Sequence, residues 1–492
     1  MSELRGIAAR VGRQSVAYTL SAAVGPITGV LLLPVYTRYL SPADYGLIAL
    51  LEVLSLVFAT MFSLGLTAMI PFYYVDFPAG RARRRGVGTV VVAVTLLNVL
   101  LAAAIALAGA GPIRVLLPSV PFWPYVPMLA VTALCEPYWI MMGAIYQIQE
   151  RAFTFGTWST ARIILAITLK ILFVVVLAKG VYGFIVGNLL TAAITAGVVA
   201  PLLWREMEPA LDRAALRRAF AVGGPTVPNN LFTYGFRVLD RIILERFVDS
   251  GQIGLYYMAL KVGDIVRLGT DVFVNAWRPV FFKEAGNPQF ASETAPTVIR
   301  LVSVGMIGGC LAIALFSREI MALLTSPSYA GAARFVPLIV GAMALKGLYT
   351  FPYLAVWYRK RTAWVPLLTL VTMAFSVGAN LLLMPRWGVL AAAGVLLASY
   401  LLLFGLMHVL AQRCFPMHYR WGVLVSAAAT ASAAATIGAP LPPGLSSMLI
   451  KTLLLALYAV VVLLVGGIRA SEVAILLRRP KIVPTGTVVE VR

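Results

Sequence analysis

Apolar runs of about twenty residues recur along nearly this whole chain, and that recurrence limits its fold more than any other feature. The runs fall near 15–36, 45–73, 87–110, 123–147, 156–178, 181–203, 222–245, 252–281, 297–316, 334–357, 363–384, 388–411, 421–439 and 447–467. They are numbered here as spans 1 to 14. A large soluble core could bury a few such runs, but not a succession that fills 492 residues. The chain is 61% hydrophobic and only 12% charged, about half the charge of an ordinary soluble domain. Within lipid every backbone amide needs a partner, so the spans are helices and not open strands. The expected fold is all-α and integral to a membrane, with fourteen transmembrane helices.

The net charge of +21 raises nucleic acid as a partner, and the placement of the charge argues against it. The basic residues sit in short loops between apolar runs. With the N-terminus in the cytoplasm, the inner loops and tails carry RARRRG (81–86), Arg151, WREMEPALDRAALRRAF (204–220), Lys283, YRKR (358–361), Arg413 with Arg420, and RRPK (478–481). The outer loops hold only scattered cations such as Arg38, Arg114, Lys179, Arg246, Arg318 and Arg386. This asymmetry is the positive-inside pattern, and it places both termini in the cytoplasm. The basic start reads as the lead-in to span 1 and not as a cleaved leader. No outer loop is long, the largest running from about Ser317 to Arg334, which argues against a membrane polymerase or glycosyltransferase. The cysteines (Cys135, Cys310, Cys414) and histidines (His408, His418) form no disulfide framework, metal spacing or catalytic triad. The expectation is a protein that is no enzyme and needs neither cofactor nor metal.

The chain also repeats itself. A shift of 208 residues lays YTRYLSPADYGLIAL from Tyr36 on LERFVDSGQIGLYYM from Leu244, matching Arg38 to Arg246 and Gly46 to Gly254. The same shift lays Pro71 on Pro279, and a shift of 210 lays Arg151 on Arg361 and Glu136 on Lys346. Spans 1–6 and 7–12 then form two six-helix lobes. An even number of spans gives both copies one orientation, related by a pseudo-twofold axis along the membrane normal. The expected organisation is an N-lobe (1–203), an amphipathic cytoplasmic linker (204–220), a C-lobe (221–413), two added helices (414–467) and a basic cytoplasmic tail (468–492).

Charges inside spans are costly and mark paths for polar cargo. RVLDRIILERF (237–247) places Arg237, Asp240, Arg241 and Glu245 on one face of span 7. In span 8, Tyr257, Lys261, Asp264, Leu268, Asp271, Asn275 and Arg278 step by three or four along one stripe, flanked by Arg267. Arg162 and Lys170 share a face of span 5, and Glu52, Glu136 and Lys346 are further buried charges. Any one of these could be a structural pair, but two charged helices exceed what one pair requires. Cations outnumber acids here, which suits an anionic cargo of the phosphate or diphosphate class. The candidate cargo-binding residues are Arg162, Lys170, Arg237, Arg241, Lys261, Arg267, Asn275, Arg278 and Lys346. Candidates for coupling to a proton or sodium ion are Glu52, Asp240, Asp264 and Asp271.

LLLPVYTRYLSPADYGLIALLEVLS (31–55) with SLGLTAMIPFYY (63–74) resembles the polysaccharide transporters, the oligosaccharide flippases of the multidrug/oligosaccharidyl-lipid/polysaccharide exporter superfamily. VPNNLFTYGFRVLDRIILERFVDSGQIGLYYMALKV (227–262) and LLTSPSYAGAARFVPLIVGAMALKGLY (323–349) with YRKRTAWV (358–365) are similar to the same family. The resemblance spans roughly residues 10–420. It implies the MATE-like arrangement of two lobes with alternating access, in a bacterial-type inner membrane. It also implies an undecaprenyl-diphosphate-linked oligosaccharide as cargo, flipped to the outer leaflet by a monomeric carrier in contact with membrane lipids and with the polysaccharide polymerase machinery. Within the resemblance, a lipid II flippase or a cation-coupled multidrug exporter is the alternative.

Overall fold

The computed structural model describes residues 25–466 apart from 26, 64, 225–226, 228–234, 236–237 and 417–419. The described residues are helical with short connections and contain no strand. Ten helices among them are long and apolar enough to cross a membrane. One of them, Thr362–Cys414, is 53 residues long. At about 1.5 Å per residue a straight helix of that size would be far longer than the hydrocarbon core is thick. Gly388, with φ 52° and ψ −128°, breaks it. Trp364 and Arg413, near its two ends, line one cavity together, so the arms fold back as spans 11 and 12. Span 8 is the 35-residue helix Ser250–Glu284, too charged to pass for a simple apolar crossing. Spans 1 and 7 run outside the described residues, which therefore do not complete the expected fourteen. The N-terminal lead-in and the tail 468–492 lie outside them too.

The repeat is visible as geometry. Span 2 begins at Pro42 and span 8 at Ser250, 208 residues on. Ser41 caps the first, pairing with Asp44, whose carboxylate also accepts from the Ser41 N–H. Asp249 caps the second, accepting from the Gln252 N–H at 3.0 Å. The two helices press together through equivalent glycines. A Cβ on Gly46 would stand 1.8 Å from the Ser250 carbonyl oxygen, and one on Gly254 would stand 1.8 Å from that of Pro42. Each copy therefore contacts its counterpart with the same atoms, as a twofold axis requires.

The 210-residue register holds at the turns. The Arg151 N–H donates to the Tyr146 carbonyl and the Arg361 N–H to that of Val356, with Glu150 and Lys360 both at positive φ (54° and 57°). Ala178 (φ 48°), between spans 5 and 6, matches Gly388 between spans 11 and 12.

Two sequence expectations are corrected. Span 2 is not one helix over 45–73. It ends at Ser63, turns at Gly65 (φ 67°) and resumes as Ile70–Asp76. The counterpart 208 residues on is Phe273, which lacks a glycine's freedom at positive φ, and span 8 runs on unbroken. Nor is RARRRG (81–86) a loop: span 3 is helical from Arg81 to Ala108. Its cations are held by the segment after span 6, with Arg81 3.1 Å from Glu208 and Arg84 donating to the Met207 carbonyl.

That segment continues into the amphipathic helix Arg213–Gly223, capped by Asp212, whose carboxylate accepts from the Ala214 and Ala215 N–H groups. Those two bonds, the larger effect coming from Ala215, hold the Asp212 pKa below its ordinary value. The helix docks on the N-lobe: Gly223 packs on the Gly65 backbone, and the Tyr73 hydroxyl donates to the Ala215 carbonyl.

Apolar packing divides unevenly. One core draws on both lobes, from Leu40, Leu117 and Val181 to Tyr329, Val336 and Val389, on the face away from the basic loops. On the basic face each lobe has its own core: Tyr73, Ile145 and Leu203 in the first, Phe281, Val356 and Phe415 in the second. The lobes are therefore joined at one face and parted at the other. Spans 13 and 14 (Trp421–Gly438 and Leu445–Gly466) pack on span 9, sharing a core with Val304, Leu311 and Leu315. Trp421 also meets the His408 ring of span 12 edge-on. Lys451, fully buried in span 14, donates to both carboxylate oxygens of Glu319 at 2.7 and 2.9 Å.

Candidate functional site

Three pockets meet at Glu52 of span 2, which lines all of them. The first, about 460 Å³, lies within the N-lobe among spans 2, 4, 5 and 6. The second, about 110 Å³, lies in the C-lobe along span 8. The third, about 290 Å³, lies among spans 1, 2, 5, 6 and 8. Helical spacing gathers the span 8 side chains, since Tyr257, Lys261, Asp264 and Arg267 follow one another by three or four residues.

The centre crosses the lobe boundary. The Tyr257 hydroxyl donates to the Glu52 carboxylate, and Lys261 Nζ lies 3.6 Å from the same oxygen. Lys261 and Arg241 both sit over the Tyr257 ring, at 4.5 and 5.2 Å from its centre. Arg241 forms no ion pair within 4 Å among the described residues, and its buried Nε has no hydrogen-bond partner there. Lys170 stands over the Phe184 ring at 4.5 Å. Lys346 and Tyr400 complete the C-lobe wall.

Other candidates are tied down locally. Arg267 pairs with Asp264 at 2.8 Å and reaches Asp271 at 3.5 Å. Arg162 pairs with Glu136 inside the N-lobe and lies over the Trp139 ring. Asp240, 6% exposed, accepts from the Tyr256 hydroxyl at 2.5 Å and from the Arg241 N–H at 2.8 Å. Both its oxygens are committed, which suits a fixed anchor better than an ion-coupling site.

Three candidates lie outside the three pockets. Asn275 and Arg278 line none of the three pockets: they are exposed nearer the basic face, with Arg278 over the Trp357 ring. The stripe of span 8 is longer than the cavity it serves. Asp271 is also exposed beyond the pockets, joined to them among the described residues through Arg267. Arg237 lies outside the described residues. Of the cations that remain, six (Arg162, Lys170, Arg241, Lys261, Arg267, Lys346) line the pockets with four acids (Glu52, Glu136, Asp240, Asp264). The centre keeps a net positive charge.

On the face away from the basic loops the lobes are latched. Glu245 accepts from the Ser119 N–H and hydroxyl, Arg246 donates to the Val115 carbonyl, and Tyr329 donates to the Leu40 carbonyl at 2.7 Å. Glu245 is thus a latch residue and not part of the cavity wall. Sequence reasoning missed the Lys451–Glu319 pair, because a lone lysine in span 14 gives no periodic signal. It also missed the polar wall of the N-lobe pocket (Ser55, Thr132, Asn188 and Thr191), whose residues are scattered over three spans.

The family model of polysaccharide biosynthesis proteins matches residues 35–334. No curated protein matches the chain by sequence. Among solved structures, the chain is similar to the lipid II flippase MurJ in an inward closed conformation, with a TM-score of 0.68 and 13% identity, over 91% of this chain and 97% of that one. It is also similar to an inward-facing multidrug resistance MATE family transporter of the MOP superfamily, with a TM-score of 0.65 and 14% identity, over 80% and 97%. A MATE structure in the straight conformation gives a TM-score of 0.52 at 16% identity, over 82% and 95%. These three are likenesses of fold.

Proposed function

The chain belongs to the polysaccharide biosynthesis protein family and is a multi-pass membrane protein with the fold of the exporter superfamily, not an enzyme; from that premise we propose that it flips a lipid-diphosphate-linked oligosaccharide. One observation carries this reading: Arg241, Lys261 and Lys170 gather around Glu52 where the lobes meet, in a cavity with a positive excess. Moving a diphosphate through hydrocarbon without replacing its hydration is prohibitive. Arg forks and Lys point charges can replace that hydration, while the prenyl chain stays in lipid.

In this reading the basic face is cytoplasmic and the carrier is loaded from that side. The latch Ser119–Glu245 keeps the far side shut. Glu52 holds Tyr257 and Lys261 until the arriving diphosphate competes for the lysine, which frees one lobe to move against the other. The exchange of one anion for another at Lys261 couples loading to opening. A proton or sodium ion taken up at Glu52 would serve the same release, and Asp264 is the next acid in reach. The cargo's lipid is undecaprenyl-like, and the membrane is of the bacterial inner type.

The deciding experiment is depletion of the protein followed by lipid extraction. The expected result is accumulation of a diphosphate-linked glycolipid confined to the cytoplasmic leaflet, with its glycan read by mass spectrometry. An unchanged pool with new sensitivity to cationic compounds would move the reading to a drug exporter. Accumulation of lipid II alone would move it to a lipid II flippase.

A further inference from the structure

We propose that the N-lobe pocket is the glycan subsite, which takes an uncharged sugar residue while the diphosphate lies beside Arg241 and Lys261. This rests on the flippase reading and adds to it a division of the cargo between the two lobes.

The volume of about 460 Å³ falls within the range of small-ligand sites. Its wall is largely apolar but carries four uncharged hydrogen-bonding side chains, Ser55, Thr132, Asn188 and Thr191. The hydroxyls of Ser55, Thr132 and Thr191 donate to the carbonyls of Leu51, Met128 and Gly187, one turn back, at 2.8, 2.8 and 2.7 Å. Their protons are spent, so toward the cavity they offer lone pairs that sugar hydroxyls can donate to. Asn188 adds an amide that both donates and accepts, and it makes no hydrogen bond among the described residues. Arg162 is the one cation among the described residues of this wall, and Glu136 neutralises it there. Glu52 adds a second carboxylate at the pocket's edge, so the wall carries no positive excess and has no reason to prefer an anion.

The second copy of the repeat supplies an internal control. In the registers that align the turns and helix starts, Ser55 corresponds to Gly263, Thr132 to Ala342, Asn188 to Ala398 and Thr191 to Leu401. The corresponding helices of the C-lobe are thus built without any of the four polar groups, so those helices do not require them. A side-chain amide inside a membrane span is expensive to leave without a partner, and Asn188, which the fold does not need, points to a ligand.

The test is binding by the full-length protein in nanodiscs. One probe is the glycolipid extracted from cells depleted of the protein, and the other is undecaprenyl diphosphate. Asn188→Ala should weaken glycolipid binding at least tenfold and leave undecaprenyl diphosphate within twofold. Asn188→Ala with Thr132→Val should bring the two affinities together, and Thr132→Ser should behave as wild type. An unchanged melting temperature separates these effects from misfolding. Equal loss for both probes, or a retained preference for the glycolipid, would overturn the glycan subsite and leave the flippase reading intact. Failure of the wild type to bind either probe would overturn both.

Discussion

The two lobes share a backbone and differ in their walls. Helix starts, caps and turns recur 208 or 210 residues apart, down to the positive φ at Glu150 and Lys360. Yet the N-lobe lines its pocket with hydroxyls, an amide, Glu52 and one closed ion pair, whereas the C-lobe lines its own with four cations (Arg241, Lys261, Arg267 and Lys346) set against Asp240 and Asp264. Turn chemistry is dictated by backbone geometry and therefore repeats. Cavity walls answer to what enters them, so they are free to diverge once the frame is set.

The comparison is broken most severely by moving the charge. Arg241→Gln with Lys261→Gln should reduce transport at least a hundredfold in vesicles, while the protein still inserts in the membrane. Arg162→Gln with Glu136→Gln should cost less than tenfold. If the two double variants ranked the other way, the assignment of charge recognition to the C-lobe would fall.

The next effect is on stability and concerns the brace of span 14 on the C-lobe. Lys451→Ala leaves the Glu319 carboxylate without its buried partner, which costs about 3–5 kcal/mol. Thermal unfolding in detergent should show the loss, and Glu319→Gln with Lys451→Met should restore most of it. Among the described residues no counterpart helix pair braces the N-lobe, so this change should leave N-lobe protease protection as it was.

A smaller effect tests the symmetry itself. Gly46→Ala and Gly254→Ala each force a Cβ against an opposing carbonyl, costing about 1–3 kcal/mol. Both should open the latched face to a similar degree. The measurement is thiol labelling in a Leu117→Cys background, since Leu117 is fully buried in the core that joins the lobes. Faster labelling by unequal amounts would show that the contact is not shared evenly.

The smallest effect concerns the linker. The lowered Asp212 pKa means that its cap is fully made above the ordinary aspartate range and is lost only as pH falls through the lowered folded value. Between about pH 5 and pH 8, Asp212→Asn should therefore change transport little, and any steep pH dependence there must come from other groups.

Much of this was legible in the sequence. Apolar run length determined the membrane class, and the gapless match of Gly46 to Gly254 gave the register of the repeat, though not that these two glycines touch. The span 8 stripe located Lys261, Asp264 and Arg267 because helical periodicity reports which side chains share a face. It could not say where the cavity ends, and so it swept in Asn275 and Arg278. The break at Gly65 was hidden because a glycine in an apolar run carries no hydropathy signal. The N-lobe wall stayed unseen for a different reason. Ser55, Thr132, Asn188 and Thr191 come together only through packing of spans far apart in sequence, and hydroxyl side chains are common in membrane helices.

The paired glycines carry a consequence for how such a chain arose. A contact in which each half touches the other with equivalent atoms is isologous, the kind that two identical subunits form across a dimer axis. A six-span ancestor could close it with a second copy of itself, provided both copies entered the membrane in the same orientation. Joined in one chain, the two halves need not find each other as subunits, and neither has to match its twin.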